Sequence, residues 1–359
     1  MQRSLGRAKP LRDDEEAIVA VVEFLSAFTL FLMILTAFMS LVQLELGSND
    51  PHTDLLDRSA VDGLDRLTGS EGWFVPYQDG ARDSSNSTKD WHLVDATELY
   101  EGAIQPGIIL DGVLDLNRVA ALSKVTVESV ANGLGIPGDQ QIRLVIKVES
   151  SDDADRVGLI IFDGGSDRST ASTSSIASRS FIVDGEEMSV SLEVHNGADT
   201  PRMLRITEVS PRPSSGGPEW IEVENQNSFA LSLRGWSFER AGTSGSMTYL
   251  YQSGVIPGGE VALFSGDPSN QELGNASVIY DLGANGFLGY GSLDGLDDNS
   301  GRLRMLFAEE GSSVTSQVCK VEWDSSSGIL LDSVLVWNGG PPSSSSSWNV
   351  SSNPTPGDA

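Results

Sequence analysis

The stretch Glu219-Trp220-Ile221-Glu222-Val223-Glu224-Asn225 alternates acidic and apolar side chains, the period of a strand with acids on one face and apolar groups on the other. Working outward, the chain from Met203 onward repeats short β-rich runs separated by Gly, Pro and Ser at intervals of about 8–12 residues, the spacing of a β-sandwich. The runs are residues 204–209, 231–238, 260–264, 303–307 and 331–337, with a turn at Ile256-Pro257-Gly258-Gly259 before the third. Trp236 is expected to anchor the core, since an indole contributes a large apolar area between two thin sheets. The Ser run 343–347 reads as a flexible connection.

Taken in order, R-I-T-E-V (205–209), E-W-I-E-V-E-N (219–225), L-R-G-W-S-F (233–238), I-P-G-G-E (256–260), L-D-S-V (331–334) and N-P-T-P-G (353–357) resemble a lamin-tail domain. The resemblance covers residues 203–359 and implies an immunoglobulin-like β-sandwich. Its signature residues here are Glu208, Glu219, Trp220, Glu222, Asn225, Gly235, Trp236, Pro354, Pro356 and Gly357. Their physical reading is structural: Glu219 and Glu222 cap backbone groups or pair with Arg205 or Arg234, each pair contributing roughly 0.2–1 kcal/mol. Residues 266–299 are longer and richer in Gly than the family pattern and obscure the middle strands. Prokaryotic members of the family accompany secreted nucleases or phosphoesterases, and this sequence carries no such catalytic domain.

At the other end, residues 24–42 run 19 positions without a charge inside a longer apolar stretch. That length spans a bilayer as a helix, so residues 17–46 are expected to form a transmembrane helix in contact with lipid. Arg3, Arg7, Lys9 and Arg12 precede it and no base follows until Arg58, which predicts a cytoplasmic tail over residues 1–16 and an extracellular remainder. A cleaved signal is the rival, but the apolar run exceeds an h-region and no A-x-A site follows. Glu23 is the odd residue, costing about 2.5–3.5 kcal/mol at a helix centre and less near the interface. It either reaches the cytoplasmic boundary or pairs with a positive group on a neighbouring subunit. Ala20-Val21-Val22-Glu23-Phe24 resembles the start of the N-terminal helix of archaeal type IV pilin-like proteins, which implies an assembly role for Glu23. The sequence departs from that pattern at the processing site, because cleavage would fall between Ile18 and Val19 with no small residue before it.

Residues 52–200 read as a small α+β domain. Leu55, Leu56, Val61, Leu64 and Leu67 recur near helical spacing, a second helix is expected over residues 116–132, and strands over 142–148, 158–162, 180–183 and 189–194. Helix, helix, then antiparallel strands is the order of a pilin-like head. Residues 112–119 and 134–137 are similar to ectodomains of small archaeal membrane proteins with such an anchor.

The chain of 359 residues has 23 bases against 51 acids, a net charge of −28. That balance repels phosphate backbones and excludes nucleic acid as a partner over any broad face. One cysteine, Cys319, excludes an internal disulfide, and is read either as a small buried strand residue or as an interchain bridge. The motifs G-x-S-x-G, Walker A, H-E-x-x-H and C-x-x-C are absent, and His52, His92 and His195 stand apart, so an enzyme is not expected and no cofactor is implied. Asp294, Asp297 and Asp298 with Asn299 form an oxygen-only group that suits Ca²⁺, against the alternative of an ordinary polar loop. Asp152, Asp153 and Asp155 lack the spacing of a Ca²⁺ loop. Asn86, Asn275 and Asn349 begin N-glycosylation sequons. The expectation is a membrane-anchored surface protein presenting the sandwich for binding or structural contact. A subunit of a type IV pilus-like filament is the alternative, and an accessory to a secreted hydrolase the third. Self-association, an envelope protein and a glycan are all open as partners.

Overall fold

A computed structural model describes residues 12–48, 51–199, 202–213, 217–242, 245–251, 253–290, 295–309, 312 and 314–358. The chain divides into two compact units, Met1–Leu55 and Leu56–Ala359. Among its described residues the first holds helix Arg12–Ser48, of 37 residues, and the start of helix Pro51–Gly69. Within the longer helix the 25 residues Ile18–Val42 are apolar enough to cross a membrane and none is buried. That helix outruns the apolar stretch at both ends.

The second unit contains two main cores. In the first, helix Pro51–Gly69 turns Leu56, Ala60, Leu64 and Leu67 inward, while Leu55 and Val61 stay exposed. Steps of three and four residues place the four on one stripe. That stripe shares a core with Ile142, Leu144, Ile146 and Val148 and with Met188, Val190, Leu192 and Val194. These belong to an antiparallel sheet of four strands, in the order Ile160–Gly165, Gln141–Ser150, Glu186–His195, Ser174–Val183.

The helix expected over 116–132 is broken. Leu116–Ala121 is followed by a 3-10 turn, Leu122–Lys124, and a fresh helix, Val127–Leu134. The cause is local: Thr126 accepts from the Ser129 N–H as an N-cap, and the β-branched Val125 and Thr126 are extended.

Two sheets enclose the second core. One has the order Val278–Asp281, Val261–Ser265, Trp220–Asn225, Leu204–Ser210, Val334–Trp337, Trp348–Ser351. The other has the order Gly245–Leu250, Trp236–Gly242, Gly301–Phe307, Ser316–Trp323. Ile206, Ile221, Val223 and Phe264 from the first meet Trp236, Phe238, Met305 and Val321 from the second. Val278–Asp281, the strand hidden in the Gly-rich region, pairs parallel with Val261–Ser265.

Three readings of this region need correction. Strict alternation puts Glu219 with Ile221 and Val223, and Trp220 with Glu222, so the acids do not share one solvated face. Trp220 packs instead with Val261, Leu263, Ala276 and Val334 in a small separate cluster. The run 231–238 is not one strand. Leu231–Ser232 pairs with Val255–Ile256, the chain turns at Gly235 with φ +86°, and Trp236 starts a new strand. The Ser run is an ordered turn rather than a loose connection: Ser345–Ser347 is a 3-10 helix, and Asn338 Nδ2 donates to the Ser346 carbonyl at 3.1 Å.

The two cores are fastened by the loop after Asn225. Phe229 is buried in the first core, its ring 5.0 Å from that of Phe162. Backbone bonds reinforce the join, from Ala230 N to Val125 O (3.1 Å) and from Gly258 N to Ser123 O (2.7 Å).

Candidate functional site

The signature acids serve the backbone. Glu219 Oε2 accepts from the N–H groups of Gly289 and Leu296, both at 2.7 Å, and so holds two points in the later part of the Gly-rich stretch 266–299. Glu208 takes the N–H of Thr355 (3.2 Å) and its hydroxyl (3.0 Å), and Glu222 takes the Gly357 N–H at 2.6 Å and the Thr207 hydroxyl. Thus residues 354–358 are clasped against the sheet, and Gly357 at φ +87° sits where a Cβ would strike the backbone at Asn275 and Ala276. Burial pushes the Glu208 and Glu219 carboxyls up to about 7 and raises Glu222 as well. Arg205 bonds to Glu224. The capping alternative describes Glu219 and Glu222.

Asn225 is wholly buried. Its Nδ2 donates to the carbonyls of Phe229 (3.0 Å), Ile256 (2.9 Å) and Pro257 (3.1 Å), and its Oδ1 accepts from Asn227 N–H. It thereby shapes the loop that inserts Phe229. Trp236 is buried with its ring 5.0 Å from Phe307. Pro354 is exposed, and the Pro356 carbonyl abuts Gly274, where the Gly-rich stretch folds over the clasped segment.

The acidic loop is engaged elsewhere. Asp297 Oδ1 accepts from the N–H groups of Asn299 and Ser300, both at 3.0 Å, and Asp298 faces Arg212 at 3.7 Å. Asp294 lies outside the described residues. Among the described residues no three of His, Cys, Asp and Glu gather as a metal site. Glu23 is exposed within the apolar helix. Asn86 and Asn349 are exposed, and Asn275, also exposed, donates to Asp358. Cys319 is buried in strand Ser316–Trp323, and burial pushes its thiol up to about 11. His195 is buried and bonded to the Ser166 carbonyl at 3.0 Å, a structural setting.

A cleft of about 690 Å³ opens where the two cores meet, within the usual size of small-molecule sites. Tyr100 and the first turn of helix Val127–Leu134 form one wall; Arg202, Arg234, Leu250 and Phe307 belong to the other. The walls are held in register by the Ser232 hydroxyl, which donates to Tyr100 Oη at 2.8 Å. Arg202 lies over the Phe307 ring, 4.7 Å from its centroid, and faces Asp199 at 3.5 Å. Gly235 also lines the cleft, and a Cβ there would press on the Ala308 carbonyl. Tyr251 lines it too; it is 6% exposed and its hydroxyl has no partner among the described residues.

Sequence reasoning missed this cleft because its walls come from segments about a hundred residues apart. The one available signal was Phe229, a large ring inside the turn-like stretch Asn227-Ser228-Phe229. Arg118 was missed as well. It is 1% exposed, donates to the carbonyls of Glu71 (2.7 Å) and Lys89 (3.0 Å), and faces Asp115 at 3.4 Å. No protein-family model matches the chain, and no characterised protein aligns with it.

Proposed function

We propose that the chain is a membrane-anchored cell-surface protein without catalytic activity. Residues 17–46 cross the bilayer, residues 1–16 lie in the cytoplasm, and the remainder stands outside. There a lamin-tail-like sandwich on a pilin-like base serves binding or structural contact. The observation that carries this reading is the helix segment Ile18–Val42: 25 residues, uncharged but for Glu23, long and apolar enough to cross a membrane, and unburied. Such a surface is stable only in lipid or against other apolar helices. The lamin-tail resemblance is supported by the duties of its signature residues, with Glu208, Glu219, Glu222 and Asn225 each buried and each bonded to backbone.

The test is to shear cells expressing the chain, separate released filaments from membranes, and sequence the N-terminus in each fraction. Retention in carbonate-washed membranes with the original N-terminus, and digestion of the sandwich by external protease, is the expected result. A soluble released chain overturns the anchor.

A second reading, a subunit of a pilus-like filament, is favoured by one arrangement: helix Pro51–Gly69 shares a core with an antiparallel four-stranded sheet, although strands Gly72–Gln78 and Gly102–Pro106 stand between that helix and Leu116–Ala121, so the order is not the expected helix, helix, strands. Recovery in sheared filaments with a new N-terminus just before the apolar helix would select it, with Glu23 as the assembly residue.

A further inference from the structure

We infer that strand Ser174–Val183 of the four-stranded sheet pairs antiparallel with the same strand of a second copy of the chain, joining two sheets edge to edge about a two-fold axis at Arg179. The inference narrows the partner of the display reading to the chain itself. It rests on that reading only in that the strand lies outside the membrane.

Ser174–Val183 is an edge of its sheet, paired on one side alone, with Glu186–His195. The register runs unbroken from Ser174↔His195 to Val183↔Glu186, with no bulge. Beyond that ladder, no backbone group of residues 174–183 has a second backbone partner among the described residues. A straight edge of 10 residues without proline, lysine or a bulge is a template for another strand. The opposite edge is blunted: Ile160–Gly165 shifts register against Gln141–Ser150 and ends on Gly165 at φ +107°. The edge strands of the sandwich are shorter, at 4 residues for Val278–Asp281 and Trp348–Ser351, 6 for Gly245–Leu250 and 8 for Ser316–Trp323.

What selects a second copy is the sequence of the strand. Ile176-Ala177-Ser178-Arg179-Ser180-Phe181-Ile182 reads alike outward from Arg179 in both directions: serine, then an apolar residue, then isoleucine. A two-fold at Arg179 therefore sets Ile176 opposite Ile182 of the second copy, Ser178 opposite Ser180, and Ala177 opposite Phe181. Ala177 and Phe181 pack against the first core, so Ile176, Ser178, Ser180 and Ile182 share the outer face. Ile176 is 52% and Ile182 75% exposed, and the symmetry makes the contact that covers them twice. On the inner face the small Ala177 leaves room for the Phe181 ring. Arg179 meets its own copy on the axis, and its charge already faces Asp65 at 2.5 Å, with Nη1 donating to the Thr68 hydroxyl at 2.6 Å. No acid lies between Asp167 and Asp184, so the strand adds no carboxylate of its own to the repulsion between two chains of net charge −28.

The experiment uses the full chain in membranes from cells co-expressing two differently tagged cysteine variants, treated with a short bismaleimide. Cys319 is buried and adds no product. Ile176→Cys with Ile182→Cys is expected to give a product carrying both tags. Either variant alone is expected to stay unlinked, because like positions then lie six residues apart, about 20 Å along the strands. Ser178→Cys with Ser180→Cys, which keeps both isoleucines, is the second pair and is also expected to link. In that pair, adding Ile182→Lys is expected to cut the linked yield roughly threefold or more. Leu330→Lys, at a 67% exposed apolar position in the sandwich, leaves the yield unchanged. Each replaced side chain is exposed, and the thermal transition of each variant checks that the fold is intact. No product carrying both tags from either pair, linking of Ile176→Cys alone as strong as in the mixture, or an unchanged yield with Ile182→Lys overturns the inference. Fractionation of the same cells reads the anchor separately: a chain released as soluble overturns the anchor, and the same cysteine pairs are then read in solution.

Discussion

Asn225 Nδ2 donates to the Phe229 carbonyl at 3.0 Å, while the Phe229 ring, 2% exposed, lies in a core otherwise built by residues before 200. One residue shapes the loop and the other carries it across. Phe229→Ala removes a ring from a packed site and is expected to destabilise the chain by about 3–5 kcal/mol. Asn225→Ala removes the side-chain donor from the buried carbonyls of Phe229 and Ile256 and costs about 1–3 kcal/mol. Both read as shifts in the urea midpoint, and an unchanged midpoint in Phe229→Ala would show the ring is not a fastener.

Stability depends on pH through the buried acids. Burial raises Glu208 and Glu219 to about 7 in the folded chain, above the ordinary value of 4.5. The folded state therefore holds more protons than the unfolded one between those values. Their contribution is fully present below 4.5 and is lost as pH rises to about 7. Glu186, held down to about 2 by its bond to Arg156, acts oppositely and only in more acid solution. Glu208→Gln and Glu219→Gln keep an acceptor oxygen and should flatten the decline between pH 4.5 and 7, measured by denaturation at each pH.

The clasped segment is sensitive to a single methyl. Gly357→Ala forces a Cβ onto a φ of +87° and into the backbone at Ala276, and is expected to cost more than about 1 kcal/mol. Removing residues 354–359 is expected to cost more again, since Glu208 loses the Thr355 donors, Glu222 loses the Gly357 N–H, and the sheet loses the packing of the segment. Equal midpoints for the two variants would show that the carboxylates find other partners.

Arg118 is expected to be the most costly single charge to remove. Its guanidinium serves two carbonyls and faces Asp115 while 1% exposed, so Arg118→Met takes that cation from Asp115 and that donor from the Lys89 carbonyl, while the Glu71 carbonyl keeps the Trp91 indole N–H, at about 3 kcal/mol. Arg118→Lys should recover little of this, because an ammonium lacks the planar fork that reaches both carbonyls.

Cys319 should be silent toward thiol reagents until the chain unfolds. Its thiol is buried and raised to about 11, so almost no thiolate forms at neutral pH. Labelling with iodoacetamide is expected only in denaturant. Rapid labelling of native chain, or a disulfide-linked dimer on a non-reducing gel, would reverse the assignment.

Strands whose period was clean were legible: residues 189–194 fall in Glu186–His195 and residues 204–209 in Leu204–Ser210. Legibility failed where partners were remote. Alternation around Glu219 suggested a solvated acidic face, because nothing local indicates that Gly289, Leu296 and Gly357 return to cover it. The Ser run 343–347 has loop composition, yet Ser347 is 1% exposed because the adjoining Trp337 and Trp348 pair across two strands. The cleft was invisible for the same reason: Tyr100 and Ser232 meet only once both cores exist.

A sandwich that lends Phe229 to its neighbour is not a portable module. Any lineage that moved residues 203–359 onto another base would carry a bare ring to the surface and leave a hole beside Phe162 and Gly164. Positions 162, 164 and 229 are therefore bound to change together or not at all, and recombination between these two halves is closed to the chain unless all three are rewritten at once.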